Sequence, residues 1–282
     1  MRYQDCFKEG REVLLKAGIE EANWDARLLL EHVCGTDRNY LLVHGDQEVD
    51  SDKEETYFRM IDMRAKRIPL QHITNVQNFM GLDFFVNEHV LIPRQDTEIL
   101  VEEVLRQMSD GCRILDMCTG SGCILISLLH YNNWCEGVGV DLSEKALEVA
   151  AKNAETLLKN KSSQSVYRFV QSNLFENVDG KYDIIVSNPP YIKSDVIETL
   201  MPEVKEHEPR MALDGTEDGL YFYRRITETS KEYLNHGGML YYEIGHDQAE
   251  AVSQIMKSEG FSDVQVVKDY AGLDRVVYGI WM

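Results

Sequence analysis

The stretch Arg113-Ile-Leu-Asp-Met-Cys-Thr-Gly-Ser-Gly122 decides the fold. Its apolar opening reads as a strand over 113–116, and the glycine-rich turn after it leads into a helix. In an α/β sheet that junction is where a ligand binds, because glycine lets the backbone come close to it. Downstream the pattern keeps alternating: strand 137–140, helix 144–158, strands 166–171 and 182–187, a helix around 220–234, strand 239–244 and helix 248–258. Such alternation predicts an α/β fold whose sheet is mostly parallel and covered by helices on both faces. Two last apolar runs, 264–267 and 275–280, flank Ala271-Gly272 and read as an antiparallel pair at the sheet edge.

Upstream, residues 1–75 read as a small helical domain. A first helix over 5–17 ends at Gly18, and a second takes Asn23 as its N-cap and stops at Gly35. A third begins at Ser51-Asp-Lys-Glu54, which resembles a capping box, and runs towards Pro69. Residues 76–92 are rich in aromatic and β-branched side chains around Gly81 and predict a β-hairpin joining two domains. A helix over 96–108 then opens the domain that spans 93–282.

Composition narrows the functional classes. The formal net charge of −19 on 282 residues repels a phosphate backbone over most of the surface. The longest basic cluster, Arg64-Ala-Lys-Arg67, reads as the solvated end of a helix or as a small patch. The six cysteines form no Cys-x-x-Cys pair and no zinc-like spacing with histidine, so no metal is expected and the thiols read as reduced, mostly buried and cytoplasmic. No apolar run approaches the roughly 18 residues that span a bilayer, which argues against membrane insertion.

The loop offers a cofactor site made of Asp116, Cys118, Thr119, Gly120, Ser121 and Gly122. Asp116 ends its strand, where a carboxylate can bond the loop or the ammonium of an amino-acid moiety. Asp141 ends the next strand, where an acid can take both hydroxyls of an adenosine ribose, or else cap the helix that follows. Cys118 stands at the first glycine position of a dinucleotide fingerprint and the third glycine is missing. An acid before the loop and an acid after the second strand favour S-adenosylmethionine over NAD.

The chemistry is read from Asn188-Pro189-Pro190-Tyr191, directly after the strand 182–187. Two prolines fix φ and remove two backbone donors, leaving a rigid turn whose carbonyls are free to accept. An amide or aromatic amine nitrogen is a poor nucleophile because its lone pair is delocalised. Oxygens from the Asn188 side chain and the Pro189 backbone can accept its two N–H groups and turn the lone pair towards a methyl donor. Tyr191 is expected to stack on the flat substrate group.

With Asp116–Gly122, Asp141 and Asn188–Tyr191 on the page, the sequence resembles the class I methyltransferases acting on planar nitrogens. These include adenine-N6 enzymes of nucleic acid and glutamine-N5 enzymes of protein. The segments Arg67-Ile-Pro-Leu-Gln-His-Ile73, Phe79-Met-Gly-Leu82, Val90–Glu98, Glu208–Leu213, Asp218-Gly-Leu220 and Glu243-Ile-Gly245 are similar to the PrmC/HemK family, the peptide chain release factor glutamine methyltransferases. The resemblance implies a Rossmann-like α/β fold with an N-terminal domain that engages a protein substrate. It also implies methyl transfer from S-adenosylmethionine to the glutamine of the Gly-Gly-Gln motif in bacterial release factors. In that family residues 118–122, Asp141 and Asn188 contact the cofactor and Asn188–Tyr191 hold the glutamine, while Leu174 stands where an aromatic often lies beside the adenine. The acidic balance and the lack of a basic recognition segment count against adenine in nucleic acid as the substrate. A third reading, a cofactor-binding protein without catalysis, is opposed by the intact tetrapeptide.

Overall fold

The computed structural model describes residues 1–159 and 164–282, which divide into two compact units: 1–76 with 201–207, and 77–200 with 208–282. In the first unit the helices are α1 (Tyr3–Lys16), α2 (Ala22–Cys34), α3 (Arg38–Val43), α4 (Ser51–Ala65) and α5 (Leu70–Thr74). Leu14, Leu29, Leu30, Tyr57 and Ile61 lie fully buried at its centre, as helical spacing of apolar residues requires. Two expected caps are realised differently. Glu21 and Asp50 precede α2 and α4 without a side-chain cap, whereas Asp37 caps α3 by accepting the Tyr40 N–H at 2.7 Å. Gly35 closes α2 in the left-handed conformation, as a helix-ending glycine should.

Of the basic cluster at the end of α4 only Lys66 is exposed. Arg64 is buried, and its Nε donates to Asp25 at 2.7 Å while Nη1 and Nη2 donate to Glu203 at 3.1 Å. Arg67 reaches the same Glu203 oxygen at 3.2 Å. Glu203 belongs to a short helix that returns to this unit from far along the chain, and no change of composition announces the excursion.

The second unit begins with the hairpin β1 (Val76–Phe79) and β2 (Leu82–Phe85). It is packed, not loose: Phe79 and Phe84 are fully buried and meet edge to face, 6.0 Å between ring centres. Burial of each is worth about 2 kcal/mol. Next come α6 (Gln95–Gln107), β3 (Arg113–Met117), α7 (Cys123–Tyr131), β4 (Glu136–Asp141), α8 (Glu144–Leu157), β5 (Val166–Gln171) and β6 (Tyr182–Ser187). After β6 the chain forms three short helices, α9 (Ser194–Ile197), α10 (Pro202–His207) and α11 (Arg210–Leu213). It ends with α12 (Tyr221–Ser230), β7 (Leu234–Glu243), α13 (Ala249–Ser258), β8 (Ser262–Lys268) and β9 (Asp274–Ile280).

Among the described residues the main sheet runs β5-β4-β3-β6-β7-β9-β8, parallel from β5 to β7, with antiparallel β9 and β8 at one edge. The chain moves outward from β3 to β4 and β5, then returns to the other side of β3 with β6. That reversal is the switch point at which such sheets bind ligands. The register puts Asp116 beside Gly139 and Met117 beside Ser187, so the carboxyl ends of β3, β4 and β6 finish level with one another. Sequence spacing misses the short helices between 194 and 213, and it starts β7 five residues late, at Met239.

Candidate active site

A cavity of about 370 Å³ opens at the carboxyl ends of β3, β4 and β6. The glycine-rich loop forms one wall. Gly122 takes φ 79°, and a Cβ there would meet Ile126 at 2.8 Å and Ala150 at 3.2 Å, so only glycine lets α7 start this close to α8. Cys118 also adopts a positive φ, 63°, as does Leu174 at 51°. For residues with a side chain this conformation costs about 1 kcal/mol each, and both departures from the expected family pattern therefore sit at strained positions on the cavity wall.

Asp116 lies beneath the loop and is completely buried. Its Oδ2 accepts from the Thr119 hydroxyl at 2.6 Å and the Leu125 N–H at 3.3 Å, while Oδ1 has no hydrogen-bond partner. Burial pushes this carboxyl up to about 7 against those two bonds. Asp116 does not line the cavity; of the two expected roles, geometry gives it that of holding the loop.

Asp141 does line the cavity. Its Oδ2 accepts the Gly120 N–H and its Oδ1 the Ser143 N–H, both at 2.9 Å, so the carboxylate ties the loop after β3 to the turn after β4. Burial raises its pKa and these backbone bonds oppose the rise. The capping alternative goes to Ser143, whose hydroxyl accepts from the Ala146 N–H at 3.2 Å. Thr119, Gly120, Ser121 and Leu174 also form walls. Behind Ser121, the buried Asn153 of α8 donates to the Ser121 carbonyl at 2.9 Å and exchanges hydrogen bonds with the Phe85 backbone, bracing loop against hairpin.

Asn188 and Pro190 also line the cavity; Pro189 and Tyr191 do not. The turn is held from three sides. Ile192 N–H donates to the Leu213 carbonyl at 3.0 Å and Gly215 N–H to the Ile192 carbonyl at 2.8 Å. A Cβ on Gly215 would lie 2.7 Å from Tyr191 Cα, so glycine is required where these two backbones cross. Gln248 donates to the Tyr191 carbonyl at 3.1 Å. The Tyr191 ring departs from the expectation of stacking on substrate: its hydroxyl turns away to Glu243 Oε1 at 3.4 Å, and burial and that carboxylate raise its pKa. Phe222 and Met211 supply apolar side chains to the cavity wall instead.

Several residues at this site carried no role in the sequence reading. Thr97, in the first turn of α6, accepts from Asn188 Nδ2 at 3.4 Å. Glu243 ends β7, one residue beyond the pairing of Ser187 with Tyr242, and so comes level with Asn188. Arg94 forms an ion pair with buried Glu208, next to the wall residue Pro209. These positions lie in the proline-containing segments 90–98 and 208–213 and in 243–245, which carried the family resemblance without indicating what each side chain does. All six cysteines are free thiols, and burial pushes Cys118 and Cys123 at the site up, the latter to about 12. Among the described residues no helix is long and apolar enough to cross a membrane.

Comparison with known proteins agrees with this architecture. Residues 5–74 match the model of the PrmC N-terminal domain, and residues 94–206 that of the methyltransferase small domain. The chain is 41% identical to a release factor glutamine methyltransferase of Clostridium acetobutylicum, over 99% of each chain. It is 43% identical to one of Geobacter sulfurreducens, over 95% of this chain and 93% of the relative. A methyltransferase crystal structure from Pyrococcus furiosus, 16% identical, matches 82% of this chain and 98% of its own with a TM-score of 0.52, a likeness of fold.

Proposed function

The chain belongs to the release factor glutamine methyltransferase family, and from that premise we propose that it transfers a methyl group from S-adenosylmethionine to the side-chain amide nitrogen, N5, of the glutamine in the Gly-Gly-Gln motif of bacterial peptide chain release factors. The observation that carries the reading is one cavity lined by both Asp141 and Asn188. On this reading residues 1–75 dock the release factor, 76–92 connect, and 93–282 bind the cofactor and catalyse. The work is cytoplasmic, where translation terminates.

The residues present fit the cofactor. A cavity near 370 Å³ is within the roughly 300–1,000 Å³ usual for small-molecule sites. Asp141 keeps a free lone pair on each oxygen for a ribose hydroxyl, since an ionised carboxylate accepts at about four positions. Leu174 and Val140 offer apolar surface for a purine, and Thr119, Gly120 and Ser121 flank the remainder. Asp116 serves by fixing Thr119. When bound, the cofactor supplies an electrophilic methyl group on a sulfonium.

The chain's own part is orientation and electrostatics. Asn188 Oδ1 accepts one N–H of the glutamine amide, and the Pro189 carbonyl, next in the same rigid turn but beyond the cavity's own lining, accepts the other once the substrate is seated. Two acceptors fix the nitrogen and aim its lone pair, and they stabilise the positive charge that grows there as the new N–C bond forms. The methylated nitrogen then loses its extra proton readily, so no base with a tuned pKa is needed for the bond-forming step.

Two experiments bear on this. Labelled S-adenosylmethionine is supplied with a purified release factor, with its Gln-to-Ala variant in the Gly-Gly-Gln motif, and with DNA. Label is expected only in the parent release factor; label in DNA, or equal label in the Gln-to-Ala protein, overturns the reading. Separately, Asp141→Ala is expected to weaken cofactor binding about 10- to 100-fold through loss of two charge-assisted hydrogen bonds. An unchanged dissociation constant by calorimetry removes the ribose role from Asp141.

A further inference from the structure

Gln248 immediately precedes α13 and is only 7% exposed, and its carboxamide reaches groups from three separate segments. Nε2 donates one hydrogen to the Tyr191 carbonyl at 3.1 Å and the other to the Gly219 carbonyl at 3.2 Å. Oε1 accepts the Gly245 N–H at 2.9 Å. The Tyr223 hydroxyl, which donates to the Glu243 carbonyl at 2.9 Å, lies 3.4 Å from the same Oε1. A carbonyl only accepts and a peptide N–H only donates, so these backbone partners leave the amide one orientation.

The two ends of this amide do different work. The oxygen end braces a local turn: the Gln248 N–H donates to the Gly245 carbonyl at 2.9 Å, and Oε1 closes the same turn from the side chain. The nitrogen end reaches Tyr191 and Gly219, 57 and 29 positions away, which a local brace does not need. Their carbonyls converge on one nitrogen, and two acceptors are reconciled there only by a donor with two hydrogens. Tyr191 closes the turn that carries Asn188 and the Pro189 carbonyl. Gly219 leads into α12, whose Phe222 lines the cavity. Beyond Tyr191, the Ile192 N–H and carbonyl are bonded to Leu213 and Gly215. With Gln248, three consecutive backbone groups after the prolines are therefore held. A misplacement of about 1 Å at a reacting centre can cost about 10²-fold in rate, so such anchoring bears directly on turnover.

We propose that Gln248 is a positioning residue for methyl transfer: its two N–H groups lock the turn 188–191 to the segment before α12 and so fix the acceptor pair formed by Asn188 Oδ1 and the Pro189 carbonyl. This rests on the substrate-holding role given to that pair above. Gln248 itself touches neither substrate nor cofactor; it acts through the turn.

The test measures kcat per cofactor-binding site, with sites counted by calorimetry, and cofactor affinity from the same titration. Gln248→Glu keeps an acceptor for Gly245 but has at most one proton for two carbonyls, so the brace survives and the lock does not. Gln248→Met keeps the length of the side chain and loses both. Each is expected to lower kcat about tenfold, with the cofactor dissociation constant within about twofold of the parent. In an Asn188→Ala background Gln248→Met is expected to cost much less than in the parent, because half of the acceptor pair it positions is already gone. Parent kcat in either Gln248 variant overturns the proposal; for Gln248→Glu it leaves the turn brace alone. Equal losses in the two backgrounds, or a cofactor affinity that falls as far as kcat, also overturn it. Parent kcat in Asn188→Ala instead overturns the substrate-holding reading, and the proposal with it.

Discussion

Asn188→Ala is expected to lower kcat by about 10²–10³-fold, the scale of removing one preorganised hydrogen-bonding group from a transition state. Alanine keeps the backbone of the turn, because Pro189 and Pro190 fix it from one side and the crossing with Gly215 from the other. What disappears is the oxygen that holds the substrate nitrogen and meets its growing positive charge. In a half-buried wall that interaction is worth more than in water, since little solvent competes and no dipole has to reorient. Cofactor affinity should change far less, because Asp141 and the loop before α7 remain intact. Single-turnover kinetics with calorimetry separates the two quantities. A variant with wild-type turnover, or one that loses cofactor binding in proportion to turnover, removes Asn188 from the chemical step.

Arg64→Met is expected to destabilise the helical unit by about 3 kcal/mol at neutral pH. Arg64, Asp25 and Glu203 have side chains 8–10% exposed. Replacing the cation by a side chain of similar size keeps much of the packing but leaves Asp25 without its 2.7 Å partner and Glu203 with Arg67 alone. Breaking one side of a buried ion pair typically costs about 3–5 kcal/mol, because the remaining charge stays desolvated. Glu203 sets the pH dependence. Burial pushes its carboxyl up, but hydrogen bonds from its backbone, Arg64 and Arg67 outweigh that and its pKa ends below the usual value. A depressed carboxyl pKa contributes stability at neutral pH that is lost as pH falls through the acid range. The penalty of Arg64→Met should therefore shrink in acid. Urea unfolding of both proteins at pH 7 and at pH 4 provides the check, and equal midpoints at pH 7 discount the ion network.

Much of the fold is legible in the chain because periodicity is a local property. The strands at 166–171 and 182–187 fall where alternating apolar runs place them, Asp141 ends its strand as expected, and Asp116 stands one residue before the end of its own. The chemistry of Asn188-Pro-Pro-Tyr is legible for the same reason: proline and asparagine act through their own atoms. Tyr191 shows the limit. Its ring chemistry predicts stacking on substrate, but a carboxylate 52 positions away gives its hydroxyl a partner behind the turn.

Thr97 and Glu243 were visible only as letters in family-like segments. The sequence by itself determined a glycine loop between two acids and a rigid amide turn on an α/β sheet, each set by residues adjacent in the chain. Tertiary structure alone decided that α6 brings Thr97 to Asn188 across 91 positions of chain, that β7 brings Glu243 to Tyr191, and that a segment near 203 returns to the helical unit. Hydrogen bonds and ion pairs act over about 3 Å of space, and only the folded chain says which distant residues come that close.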